Sequence, residues 1–203
     1  MLGYGIPYWH RFLRCSLKKY YTMKTETMSI KLKWWQVALI AVAVSALGSL
    51  SALMSSKKQR KVYTNDLEQA PWSPPAWVFG PAWTINNYFL LQALRRIIES
   101  DLPEKKKLLW LQAGIWVVFF SFNYVYFKKK SPVLADVWTM TDTVLAIASL
   151  LVSAKADKRL SLNYLPLTLW TSFASTLSGY QALKNPDPAL GTKPLLEYMH
   201  QTN

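Results

Sequence analysis

The residues best suited to chemistry lie at positions 72 to 84, which read WSPPAWVFGPAWT. Pro74 and Pro75 suit the first turn of a helix, where a missing N–H is no loss. Pro81 lies farther along, where it would free the carbonyl of Trp77 and bend the helix. Trp77 and Trp83 flank that point and offer broad apolar rings with N–H donors. A flat apolar ligand could lodge there. Asp142 is the other notable group, an acid inside an otherwise apolar run. Metal chemistry has little to work with. Cys15 is the single cysteine and excludes an internal disulfide, while His10 and His200 lie in the tails, so no metal or histidine-ligated haem is expected among the helices. There is no Gly-rich phosphate loop, GxSxG elbow, HExxH pair or Ser/His/Asp arrangement.

The elements that must hold these residues follow from where charge is missing. The chain has 203 residues with 24 Lys and Arg against 11 Asp and Glu, a net charge of +13. Five stretches, 34–54, 76–94, 108–127, 133–154 and 160–183, contain only two charged side chains, Asp136 and Asp142. About 20 apolar residues as a helix span roughly 30 Å, the thickness of bilayer hydrocarbon. The expected fold is therefore an all-α membrane protein, a five-transmembrane-helix bundle with a long first loop, in a multi-pass integral location. Short later loops predict an up-and-down arrangement. The basic residues cluster at the ends of the apolar runs, as at Lys57, Lys58, Arg60 and Lys61, or Lys128 to Lys130. That placement fits lipid headgroups as partners rather than nucleic acid. Trp34, Trp35 and Trp110 sit at segment ends as belt residues.

Flanking this domain, 34–184, are a basic tail at 1–33 and a carboxyl tail at 185–203. In the first tail, Phe12, Leu13 and Leu17 could form one face of an interfacial helix; the alternatives are an unstructured tail or an extension upstream of a start at Met23 or Met28. The first apolar run is too long and too far in for a cleaved signal, and is expected to stay as an anchor. Lys and Arg favour an inside amino terminus when the whole tail is counted, and nearly balance if the chain starts at Met28.

Positions 72 to 83 closely resemble W-x-P-P-x-W-x-x-G-P-x-W, the signature of the TspO/MBR family, which comprises tryptophan-rich sensory proteins of bacteria and the mitochondrial translocator protein (peripheral-type benzodiazepine receptor). A second block, Pro166, Leu167, Thr168, Leu169, Trp170, Phe173, Leu177 and Ser178, is similar to the family's P-Y-L-x-W-x-x-F-x-x-x-L-N. The likeness covers about residues 30 to 184. Departures are Asn87 for a family tyrosine, Leu167 for another, and Ser178 for an asparagine. Trp116, Phe119 and Phe120 are the nearest counterparts of the family's helix-three aromatics, and Asp136 matches an acid at the start of helix four.

The resemblance implies a five-helix bundle, often a homodimer, with a pocket under loop one that binds porphyrins, and with haem or a sterol as further ligands. No cofactor is required. It implies a ligand-binding set of Trp72, Pro74, Trp77, Pro81, Trp83, Asn87, Trp116, Phe120, Trp170 and Phe173. The role would be sensing, scavenging or transport of tetrapyrroles. An enzymatic alternative also follows, the light- or oxygen-dependent porphyrin breakdown attributed in some bacterial members to tryptophans matching Trp83 and Trp170. Leu177, Tyr180 and Lys184 satisfy a permissive sterol pattern and equally suit interface anchors. A bacterial envelope and the mitochondrial outer membrane fit the residues equally.

Two placements follow from helical rise. Trp83 and Trp170 would lie about 12 and 21 Å below the loop-one surface, an offset of roughly 9 Å that one large planar ligand can bridge. Asp142 would lie near the bilayer centre, roughly 13 Å from Val133. An acid at that depth points either to function or to a protonated or hydrogen-bonded carboxyl satisfied by Asn86, Asn87, Asn123 or an indole N–H.

Overall fold

A computed structural model describes residues 32–53, 65–194 and 196. Lys33–Asn203 forms the unit that carries the fold. The interfacial helix expected in the amino-terminal tail and the basic cluster Lys57 to Lys61 lie outside the described residues.

Five long helices make up this unit: α1 Trp34–Leu53, α2 Phe79–Glu99, α3 Lys105–Asn123, α4 Pro132–Ala156 and α5 Leu165–Lys184. Among the described residues there is no strand, only an isolated bridge between Asp187 and Thr192. α4 packs against α5 and α3, and α1 packs against α2 and α3.

Helix boundaries follow local chemistry. Pro75 is extended, at φ −54° and ψ 142°, and leads into a 3-10 turn, Ala76–Val78, before α2 begins at Phe79. Pro81 therefore falls in the first α-turn instead of the interior of helix two. The expected interior bend becomes a change of helix type at the entrance, and the N–H that proline lacks is one of those a first turn leaves unbonded anyway. α3 runs on into a π-helical turn, Tyr124–Lys128. Ser131 caps α4 by accepting from the Leu134 N–H at 3.0 Å, with Pro132 in the first turn. The stretch expected to open helix five at 160 is instead a single turn, Lys158–Leu162, and α5 starts at Leu165. Pro166 has no N–H to continue a helix from Leu162, so the chain breaks before it.

Large apolar side chains are exposed on every long helix: Leu39 and Leu47 on α1, Ile85 and Ile98 on α2, Val117 on α3, Val144 and Leu151 on α4, Leu169 on α5. Several polar residues, among them Asn86, Gln112, Ser149 and Thr171, are buried. Lys105–Lys128 and Pro132–Ala156 are long and apolar enough to cross a membrane, and Trp34–Ser49 is a shorter apolar segment. The dry core joins Leu90 and Ile97 of α2, Leu108 and Ile115 of α3, Ala146 of α4, and Leu160, Tyr164 and Leu167. Its polar spine is a chain in which Tyr164 Oη donates to Gln112 Oε1 at 3.0 Å and Gln112 Nε2 donates to the Leu90 carbonyl at 2.6 Å. With one end of the bundle filled this way, the remaining internal space lies at the other.

Candidate functional site

That space is a cavity of about 660 Å³, within the range of small-molecule pockets. Its wall draws on all five helices and on the segment before α2. α1 contributes Ser45 and Gly48, small residues that leave room. Gly48 is required by contact: a Cβ there would lie 2.6 Å from two atoms of the Phe119 ring. The Gly48 carbonyl accepts from Asn123 Nδ2 at 3.0 Å, which ties α1 to α3 beside the cavity.

The aromatic wall is built in contacting pairs. Trp83 meets Phe119 with ring centres 5.3 Å apart, and Phe79 meets Trp170 edge-on at 5.5 Å. Phe122 and Tyr126 stack at 5.8 Å with planes 12° apart. All six residues line the cavity. The π-helical turn holds Tyr126, whose hydroxyl donates to Gln181 Oε1 at 3.2 Å. Such turns recur at functional sites because the extra residue re-aims the side chains around it.

Loop residues Asn65, Gln69, Ala70, Ser73 and Pro74 complete the wall, and α5 anchors them. Asn185 Oδ1 accepts from the Glu68 N–H at 2.7 Å, while Asn185 Nδ2 donates to the Glu68 carbonyl at 3.0 Å. Gln181 Nε2 donates to Gln69 Oε1 at 2.6 Å. Tyr180 Oη donates to Glu68 Oε1 at 2.7 Å, and Lys184 Nζ approaches the same oxygen at 3.9 Å. Trp72 Nε1 donates to Thr176 Oγ1 at 3.1 Å, with its ring edge-on to Tyr180.

Of the site residues expected from sequence, Pro74, Trp83 and Trp170 come together on the cavity wall, with Leu177 of the sterol pattern. Phe173 touches Trp170 at 6.0 Å from outside the wall. Trp72, Tyr180 and Lys184 hold the loop. Trp77 is 73% exposed, and Pro81 is exposed beside it. Asn87 is buried behind the cavity and donates to Ser45 Oγ at 2.9 Å. Trp116 stacks on Phe120 at 6.0 Å, away from the cavity. Asp136, outside the wall, accepts from Ser178 Oγ at 2.8 Å.

Asp142 lines the cavity and is 2% exposed. Its Oδ1 has no hydrogen-bond partner among the described residues, and neither has Trp170 Nε1. The carboxyl is thus not satisfied by Asn86, Asn87, Asn123 or an indole. Sequence reasoning missed Gly48, Phe79, Phe122 and Tyr126. A signal was present for two of them: Phe119, Phe122 and Tyr126, at i, i+3 and i+7, share a helical face.

The family model for the TspO/MBR family matches residues 37–183. A tryptophan-rich protein TspO of Chlorobaculum tepidum is 25% identical over 154 residues, covering 70% of this chain and 93% of that protein. A tryptophan-rich protein TspO of Bacillus cereus is 28% identical over 120 residues, covering 58% and 77%. An uncharacterized membrane protein of Bacillus subtilis, YtaB, is 26% identical over 144 residues, covering 70% and 92%.

Proposed function

This chain belongs to the TspO/MBR family of membrane proteins, and on that basis we propose that it is a multi-pass protein whose five long helices cross the bilayer and whose cavity binds a porphyrin. Binding there would serve sensing, scavenging or transport. The observation that carries the reading is the roughly 660 Å³ cavity into whose wall Trp83 of α2 and Trp170 of α5 are both built, each braced edge-on or tilted by a phenylalanine. The aromatic rings of the wall suit a large planar ligand, and the hydroxyls and amides between them suit its polar edge. The exposed apolar faces of all five helices support the five-span arrangement, since lipid, unlike water, accepts them.

Titration with protoporphyrin in a nonionic detergent tests the reading. Saturable quenching of tryptophan fluorescence is expected, weakened when Trp83 or Trp170 is replaced by phenylalanine. Quenching that never saturates, or that persists unchanged in both variants, would reject this cavity as the site. A second reading, light-dependent porphyrin breakdown, draws on the same two indoles sharing one wall. It predicts loss of bound porphyrin under illumination, and porphyrin that stays intact would leave a binding protein only.

A further inference from the structure

Hydroxyls and amides on the helices around Asp142 are bonded to other partners. Thr139, one turn earlier on the cavity wall, donates its hydroxyl to the Ala135 carbonyl at 2.9 Å. Thr171, facing from α5, donates to the Leu167 carbonyl at 2.9 Å. Asn123 of α3 donates to Gly48, and Asn87 of α2 donates to Ser45. Thr143, adjacent to the acid, shares its hydroxyl bond with Ser175 at 2.9 Å. The carboxyl oxygen is left buried and unpartnered on the wall of an open space. Buried polar groups in folded proteins are almost always satisfied, so an exception facing a cavity marks a place that a ligand completes.

The charge of the wall narrows what that ligand is. The chain carries 24 Lys and Arg, yet no Lys, Arg or His lies on the cavity wall among the described residues. In a protein of net charge +13, the cavity is thus an enclave with one acid and no base. A carboxylate brought inside would meet no cation and would face Asp142, whereas a cationic nitrogen would find its counter-charge in a low-dielectric setting where the attraction is strong. Trp170, whose indole N–H is also without a partner on this wall, adds a donor for a neutral acceptor atom of the ring system.

Building on the reading of the cavity as the ligand site, we propose that Asp142 is its polar anchor and selects flat aromatic ligands that present a protonated nitrogen, rejecting those that carry a carboxylate into the cavity. A tetrapyrrole bearing acidic side chains would then enter ring first, with its carboxylates held at the mouth.

Three tricyclic probes of one shape make the test: 9-aminoacridine as cation, anthracene as neutral ring, and anthracene-9-carboxylate as anion. Each is titrated against tryptophan fluorescence in uncharged detergent, with protein-free micelles subtracted and protoporphyrin run in parallel. The parent is expected to bind the cation at least about tenfold more tightly than the anion, an interval of about 1.4 kcal/mol. Asp142→Asn should shrink that ratio to about threefold or less while leaving anthracene affinity unchanged. A parent that ranks the anion with the cation overturns the proposal without any variant being needed. So does an Asp142→Asn protein that melts like the parent and keeps the tenfold preference. Saturable protoporphyrin binding alongside either result would retain the cavity as a porphyrin site, whereas failure of protoporphyrin and all three probes would remove both.

Discussion

Gly48 of α1 lies directly against a ring of α3, and that ring, Phe119, is the one that braces Trp83. Gly48→Ala would push that ring aside. The expected cost is about 1–3 kcal/mol, read as a lower melting temperature in detergent, together with weaker porphyrin binding; a variant as stable as the parent would show the contact to be slack. Trp83→Phe and Trp170→Phe each keep an apolar ring and lose area and the N–H, so each should lower porphyrin affinity by about threefold to tenfold on the scale of one lost polar contact. If the indoles also do chemistry, the same changes should abolish illuminated porphyrin loss while binding survives, because indole is more readily oxidised than a phenyl ring; product analysis after illumination decides. Trp83 and Trp170 were legible because a dense motif surrounds each. Phe79 was not, since its position on the wall depends on α2 opening as a 3-10 turn. Gly48 and Ser45 were silent because small residues in an apolar helix carry no sign of which face turns inward.

The apolar runs announced the helices, and prolines moved the boundaries. Pro166 shortened helix five, and the Pro75 to Pro81 segment delayed α2 to Phe79. That loop one roofs the pocket was implied by the family resemblance, but the bonds that pin it were not legible, because they pair residues far apart in the chain. Asn185 is its pin, bonding both the N–H and the carbonyl of Glu68 and also donating to the Gln181 carbonyl at 2.9 Å. Asn185→Ala should loosen the loop at a cost of about 1–3 kcal/mol and raise the porphyrin dissociation rate severalfold, measured by stopped-flow fluorescence. An unchanged dissociation rate would mean that ligand leaves by another route. At the far end of the bundle, Asp157 caps the Lys158–Leu162 turn and reaches Arg96 at 3.2 Å. Desolvation, the largest single influence, raises its pKa, but the backbone amides of Arg159 and Leu160 and the Arg96 guanidinium together outweigh it and hold the carboxyl below its ordinary value. A depressed carboxylate stabilises the fold above its unfolded pKa, near 4, and that contribution fades as pH falls through the lower folded value. Melting temperatures of the parent and Asp157→Ala should therefore differ at pH 7 and converge under strong acid.

At the scale of the molecule, the fold class was legible because the charged residues gather between the apolar runs, and the exposed leucines, isoleucines and valines are the counterpart of that pattern on the surface. The proposed five crossings would put loop one and the carboxyl tail on one side, in keeping with the Glu68–Asn185 bonds. Single cysteines at Ser56 and Thr192 in a Cys15→Ser background should accordingly react with an impermeant maleimide from the same face, and labelling from opposite faces would break the five-span arrangement. Those same bonds join residues 117 positions apart. At ordinary synthesis rates of about 5–20 residues per second, Glu68 waits on the order of ten seconds for Asn185 to be made. Until α5 follows, the nascent chain lacks both the last wall of the cavity and the bonds that pin its cover, and the aromatic rings already made stand open. The last long helix is thus the one that closes the cavity, and a chain cut short before residue 185 would lack the bonds by which Asn185 pins loop one.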